Sequence, residues 1–376
     1  MPGRAYNPLG YEPELHGGLT QPPKEVMDAY AKDWAEKRAN PVSFTFDEAR
    51  EYLKRGEGDV LGHYIYEMMF DIYAGIEDEI MDGAIDTHLH IYPDYVPRTT
   101  DIIQIAIDAS KAGYRAICCK DHFFNNTNGA WAAQWVVEDL VRRGELERSC
   151  KVFGTSVLAW SYHTDQIELI CKYPNLGGVF FPTMTGGGPG RGGPYLPILD
   201  DKGELMPEVK DCIRRMADHH ICVFTGHRTY PEHLAMVKYC NEVGGHILLT
   251  HSGGHLHHPR SAGTVEQSRE LVKLGAYIEL HGASFTGENA IWPVNDPSEL
   301  PDWIKAMGPD CIDHIVMATD LGQPTTPHPI DSYRVAVRNL LHSGISKEDM
   351  KIMCQKSGAE ALYLDEKETN AYTVYP

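Results

Sequence analysis

The 376-residue chain lacks several of the features that most readily betray a function. No C-x-x-C pair occurs among its nine cysteines, which argues against a thiolate zinc site. Their odd number, without framework-like spacing, argues against a disulfide scaffold. Cys118 and Cys119 sit in the apolar run Arg115-Ala116-Ile117-Cys118-Cys119 and read as small buried hydrophobes in a reducing compartment. Basic charge is scarce: 34 Lys and Arg stand against 53 Asp and Glu, for a formal net charge of −19. Such a surface repels nucleic-acid phosphates and anionic membranes, so neither is expected as a partner. No apolar run approaches the length of a membrane span, and Met1 to Gly18 lack the apolar core of a secretory leader. A cytoplasmic, soluble protein with a small-molecule substrate is the expectation.

What is present is ordinary globular material, 42% hydrophobic and 23% charged. The organisation changes along the chain. In residues 1–83, Pro22-Pro23 leads into Glu25 to Arg38, with Val26, Tyr30 and Trp34 at helical spacing. Further helical stretches begin near Phe46 and Val60. This segment reads equally well as a cap or oligomer contact and as an inert helical extension. A homo-oligomer is expected.

From Ala84 to Asp365 a different pattern repeats, and residues 366–376 follow as a tail. Short apolar runs end in polar residues, an amphipathic helix follows, and a glycine or proline announces the next run. The runs are Gly83 to Thr87, Tyr114 to Cys119, Lys151 to Leu158, Gly177 to Phe181, His220 to Thr225, His246 to Thr250, Ala276 to Leu280 and His314 to Ala318. They are nearly continuous rather than alternating, as strands buried on both faces of a parallel sheet are. The helices Thr100 to Lys111, Trp131 to Arg143 and Val265 to Lys273 end at Gly113, Gly144 and Gly275, fitting left-handed helix stops. Ser346 with Asp349 resembles a capping box. Eight strand-helix units predict a (β/α)₈ TIM barrel, with a doubly wound open sheet as the alternative. One long connection, Thr183 to Asp201, is glycine-rich without a G-K-[ST] phosphate loop. On the catalytic rim it reads as a lid or as a merely mobile loop.

The polar residues at the run ends carry the chemistry. His88 and His90 close the first strand, Lys120 and His122 the second, His227 the fifth, His251 the sixth, His281 the seventh and Asp320 the eighth. In a parallel barrel all strand C-termini meet at one rim, so these residues converge. Strand side chains alternate, so His88 and His90 project the same way. Imidazole plus carboxylate without thiolate suits Zn²⁺, with Mn²⁺ or Fe²⁺ as alternatives. Arg228, next to His227, is a candidate partner for a substrate carboxylate or one half of an outward-facing salt bridge. His255 is a candidate pocket residue, although a solvated loop explains it and its neighbours His257 and His258 as well.

Ile85-Asp86-Thr87-His88-Leu89-His90, then His227, His251 and Ala318-Thr319-Asp320, resemble the amidohydrolase superfamily over roughly Ala84 to Asp365. Lys120-Asp121-His122 and Asp320-Leu321-Gly322-Gln323 look like an uncharacterised amidohydrolase-related branch. The resemblance implies that His88, His90, His227, His251 and Asp320 hold or adjoin one or two divalent ions. It implies a bridging carboxylated lysine or glutamate after the fourth strand. Here that strand ends Phe181-Pro182-Thr183, and Lys120 is the lysine available, as a carboxylated bridge, a substrate anchor or a structural residue. The expected reaction is hydrolysis of an amide, cyclic amide or related C–N bond by metal-activated water. Asp320 serves as general base and acid, with His122 and His281 as further catalytic candidates. Lactone hydrolysis or non-oxidative decarboxylation on the same site is the alternative, and a catalytically silent binding barrel the lesser one.

Overall fold

In the computed structural model, the described residues are 76–184, 196–253, 263–281, 299–324 and 326–369, together with Glu25, Asp28 and Lys32. The chain divides into two compact units, one of Glu77–Leu341 with Ile345–Pro376, the other of Met1–Ile76 with His342–Gly344. In the latter, Glu25, Asp28 and Lys32 are helical and exposed. The other residues of 1–75 lie outside the described residues, and the end of the expected extension holds the helix Ile76–Met81.

The larger unit is a barrel of eight parallel strands in sequence order. They are β1 (Ile85–His90), β2 (Ala116–Lys120), β3 (Lys151–Val157), β4 (Leu176–Phe180), β5 (Cys222–Phe224), β6 (Ile247–Gly253), β7 (Ala276–His281) and β8 (Ile315–Ala318). This is the expected (β/α)₈ architecture, not the open sheet. The apolar runs became strands because they can be covered on both faces: β1, β2, β4, β5, β6 and β8 are buried at every position.

The helices between the strands carry their own start and stop signals. The helix Ile102–Lys111 is capped by Asp101, whose side chain accepts from the backbone N–H groups of Ile103 and Gln104. It buries Ile102, Ile105, Ala106 and Ala109, a 3.6-residue stripe against the barrel. Gly113, Gly144 and Gly275 have φ of 86°, 74° and 89°, so the expected left-handed stops are present. Ser346 Oγ accepts from Asp349 N at 3.0 Å, as the capping pattern predicted. Ala359, Ala361, Leu362 and Leu364 pack with Ile85, Ala116, Cys222 and Leu248 in one core cluster. The C-terminal helices thus close the end of the barrel where the strands begin. The last of them, Leu364–Thr369, extends into the expected tail, and residues 370–376 lie outside the described residues.

Two strand boundaries differ from expectation in ways that shape the site. β6 runs on to Gly253, so His251 lies inside the strand rather than after it. β5 is only three residues long, and Thr225 and Gly226 intervene before His227. Gly226 has φ 65°, and a Cβ there would lie 2.2 Å from the Phe181 carbonyl oxygen, so only glycine lets the chain turn here.

The seam between β8 and β1 closes directly under the polar cluster. Asp320 N donates to His88 O at 2.7 Å and His90 N to Leu321 O at 2.8 Å. The side chain of Asp86 completes the seam. It accepts from Thr319 N at 3.1 Å, Thr319 Oγ1 at 2.6 Å and His88 N at 3.1 Å. A Cβ on Gly322 (φ +130°) would fall 2.0 Å from His90 O, so the chain after Asp320 lies flat against β1.

Candidate metal centre

His88 and His90 leave β1 on the same side, as strand alternation requires, with ring centroids 5.3 Å apart. Both aim Nε2 at Asp320 Oδ1, at 2.9 Å and 3.0 Å. From β6, His251 brings Nε2 to 3.5 Å from Asp320 Oδ2. Three imidazole nitrogens therefore surround one carboxylate that is only 11% exposed. His227 stands behind His251, with ring centroids 5.2 Å apart, and is partly buried. Residues spread over more than 230 positions of sequence thus meet at the strand C-termini.

Backbone geometry helps to make this convergence. His251 and Asp320 have φ of 53° and 51°, in the left-handed region that a non-glycine residue enters at a cost of about 1–3 kcal/mol. Both strained residues are donors of the cluster, and the seam hydrogen bond from Asp320 N holds one of them in place.

A carboxylate that the sequence reading missed completes the centre. Glu279, fully buried in β7, has Oε1 2.9 Å from His88 Nδ1 and 3.6 Å from His251 Nδ1. Its signal was an acid inside the run Ala276-Tyr277-Ile278-Glu279-Leu280, two residues before His281 and so on the same face. Burial opposes charge on His88, but Glu279 and Asp320 on its two sides outweigh burial and lift its pKa to about 9. Two buried carboxylates thus demand a positive charge at this point. His90 responds oppositely: burial, Lys120 and His122 push its pKa well down.

The donor set suits a divalent cation. Zinc–nitrogen bonds of about 2.0–2.1 Å at tetrahedral angles place ligand atoms roughly 3.3 Å apart. The donors of His88, His90 and His251 lie 2.9 Å, 3.0 Å and 3.5 Å from the Asp320 oxygens. His88, His90 and Asp320 form one group able to hold a metal ion, and His88, His251 and Glu279 an adjoining one.

Lys120 is fully buried and pairs with His90 in the β1–β2 register. Its Nζ lies 5.0 Å from the centre of the Phe180 ring, which itself is 5.0 Å from His88. Burial lowers its pKa to about 8, against the pull of Asp320.

His122 stacks on His90 at 4.5 Å and 17°. Its Nδ1 is 2.8 Å from Asp94 Oδ2. Arg98 was missed with Asp94, although their i, i+4 spacing was visible. It donates to Asp94 Oδ2 through Nε at 2.9 Å and Nη2 at 2.7 Å. The same Nη2 lies 3.1 Å from His90 Nδ1 and 3.0 Å from His122 Nδ1. Burial would raise the Asp94 pKa, but the hydrogen bonds it accepts from His122 and Arg98 help to outweigh it and hold the group ionised.

The remaining expected residues fall elsewhere. Arg228 is fully buried, donating Nη1 to Leu196 O at 3.1 Å and to Glu232 Oε1 at 3.4 Å, and Nη2 to the Tyr162 hydroxyl at 3.3 Å. Its ion pair with Glu232 is buried, not the outward-facing salt bridge expected. His281 ends β7, and its side chain lies outside the described residues, as do His255, His257, His258 and most of the Thr183 to Asp201 connection. All nine cysteines are free and buried, in keeping with their reading as small hydrophobes. Among the described residues no helix is long and apolar enough to cross a membrane.

Comparison with known proteins gives a family and a fold. A family model described as Family of unknown function (DUF6282) matches residues 83–279. The match takes in His88, His90, Lys120, His227, His251 and Glu279 and stops short of Asp320. No curated protein matches the sequence. Among solved structures, an amidohydrolase from Pseudomonas aeruginosa superimposes with a TM-score of 0.50 at 11% identity, covering 77% of this chain and 99% of that one. The probable dipeptidase PvdM from Pseudomonas aeruginosa gives 0.51 at 12% identity, over 78% and 98%. At such identities the likeness is one of fold, and it is the fold that the amidohydrolase motifs implied.

Proposed function

The chain belongs to the family of unknown function DUF6282, whose model covers more than half its length, and we propose that it is a metal-dependent hydrolase. The observation that carries this reading is the approach of His88, His90 and His251 to one carboxylate, Asp320, within 3.5 Å. His88, His90, His251 and Asp320 would hold a divalent ion, with Zn²⁺ favoured by the donor set. His227 adjoins it, and Lys120 is available as a carboxylated second-ion ligand. Bound there, the ion supplies Lewis acidity to a water and to the scissile carbonyl.

The residues do the rest. Asp320 Oδ1 lies 2.9 Å and 3.0 Å from His88 and His90, while Oδ2 has the longer contact, 3.5 Å to His251, and is the oxygen that would take up a proton. In amide hydrolysis that carboxylate takes a proton from the attacking water and returns it to the leaving nitrogen, so the group ends as it began. His122, fixed through Nδ1 by Asp94 and stacked on His90, is a neighbouring group that would face the substrate. The substrate is a small molecule with an amide, cyclic amide or related C–N bond.

A second reading has its own support. Arg98 already places a cationic group among His90, His122 and Asp94, which favours a single metal ion on that side. One ion with an unmodified Lys120 suits non-oxidative decarboxylation, and lactone hydrolysis is the other alternative on this site. The deciding experiment is metal analysis of the mildly purified protein together with Asp320→Asn. Hydrolysis of a C–N bond requires bound metal in both proteins and turnover lost by a factor of about 100 or more in the variant. Metal-free wild-type protein, or a fully active variant, rejects the proposal.

A further inference from the structure

The rim of the barrel beside His90 is walled with aromatic rings from three consecutive strand ends. Tyr95 follows β1, Phe123 and Phe124 follow β2, and Trp160 follows β3. Trp160 stacks on Phe123 with centroids 5.3 Å apart and planes at 17°. Phe123 meets Tyr95 edge to face at 5.0 Å, and Tyr95 meets the His122 ring in the same way at 5.3 Å. His122 in turn stacks on His90, whose Nε2 is 3.0 Å from Asp320 Oδ1. An unbroken series of ring contacts therefore leads from the rim to the proposed metal ligands. On its outer side the Tyr95 hydroxyl reaches Met184 Sδ, beyond β4, at 3.8 Å.

Packing alone does not account for these rings. Trp160 is 61% exposed, Phe124 65% and Tyr95 55%. Only Phe123 is seated on the barrel core. Each square ångström of such apolar surface left in water forgoes roughly 25 cal/mol. Large apolar groups clustered beside a few convergent polar residues are what a small-molecule site presents. Trp160 stacks on Phe123 and still leaves most of its surface in water. Aromatic rings favour offset-stacked or edge-to-face partners over shapeless apolar ones.

The geometry points to an aryl subsite: Trp160, Phe123 and Tyr95 receive a flat aromatic ring of the substrate, with its acyl group directed past His122 toward Asp320. This rests on the metal-centre reading and narrows its substrate to aryl-acyl compounds.

The test uses three hydroxamates as probes of the zinc-loaded full chain, measured by calorimetric titration. Acetohydroxamate carries the chelating group alone. Benzohydroxamate adds a flat ring, and cyclohexanecarbohydroxamate adds a ring of similar size that is not flat. The expectation is that benzohydroxamate binds about tenfold tighter than either of the others, as about 1.4 kcal/mol of ring contact requires. In Trp160→Ala and in Phe123→Ala that preference shrinks to within about twofold. Trp160 is exposed, so its replacement tests the subsite without emptying the core. If cyclohexanecarbohydroxamate matches benzohydroxamate, or if the preference survives both substitutions, the aryl subsite is wrong while the metal centre stands. If none of the three binds, the metal centre falls and the subsite with it.

Discussion

Glu279 Oε1 stands 2.9 Å from His88 Nδ1, on the side of the imidazole ring opposite Asp320. With Nδ1 protonated and donating to Glu279, His88 keeps the lone pair of Nε2 facing the proposed metal position. A carboxylate behind a ligating histidine fixes its tautomer and orientation and raises its basicity. Glu279→Gln retains the shape but not the charge. It is expected to lower zinc affinity by about 10–100-fold. Competition with a chromophoric chelator measures this directly, and an affinity within twofold of wild type would show Glu279 to be a bystander.

Arg98 Nη2 lies 2.7 Å from Asp94 Oδ2, 3.0 Å from His122 Nδ1 and 3.1 Å from His90 Nδ1. Asp94, His122 and His90 form a further group able to hold a metal ion. The guanidinium sits where such an ion would, as a cation the chain carries itself. Its removal leaves the buried Asp94 charge with a neutral-imidazole contact, His122, in place of its guanidinium partner. Arg98→Ala is therefore expected to bind one more zinc ion per chain than wild type, by elemental analysis after dialysis against micromolar zinc. The double variant Arg98→Ala, Asp94→Asn should lose that gain. Equal stoichiometry in all three proteins would end the argument.

The route from sequence to site explains which parts were legible. Barrel strands buried on both faces must be continuous apolar runs, and their C-termini must share a rim. His88, His90, His251 and Asp320 could therefore be grouped before any coordinates. Glu279 escaped because it lies within an apolar run rather than at its end, where a carboxylate reads as noise in an otherwise hydrophobic strand. Asp94 and Arg98 escaped because they belong to the loop after β1, and nothing local in a loop says which side chains fold back on the rim. Asp86 was visible only as part of the Ile85 to His90 motif. Its task of bridging β1 to Thr319 depends on barrel closure between segments 233 residues apart. Arg228 follows a candidate ligand in sequence, but the turn at Gly226 and the helix Tyr230–Glu242 send its side chain inward to Glu232.

That placement makes Arg228 a residue of the scaffold. A fully buried guanidinium paired with a nearly buried carboxylate leaves an uncompensated charge when one partner is removed, which costs about 3–5 kcal/mol. Arg228→Met should lower stability by that amount in urea unfolding, while the folded variant keeps its zinc content. A variant with wild-type stability that has lost affinity for substrate would return Arg228 to the substrate.

His233 sets a pH dependence that can be isolated. It lies in the same helix as Glu232, is 1% exposed, and has its pKa lowered from 6.5 to about 3 by burial and by the charge of Arg228. The folded chain therefore holds His233 neutral over a range in which the unfolded chain protonates it. Between pH 6.5 and about 3 the unfolded state binds the extra proton, so stability falls as pH falls, by up to about 1.4 kcal/mol per pH unit for one group. Above pH 6.5 both states are neutral at this position, and the contribution is complete and constant. His233→Gln removes the titration. Its unfolding free energy, plotted against pH from 7 to 4, should show an acid limb shallower than wild type by close to one proton, whatever the offset between the curves. Parallel limbs would mean that His233 titrates in the folded chain as it does in the unfolded one, and that burial does not hold it neutral.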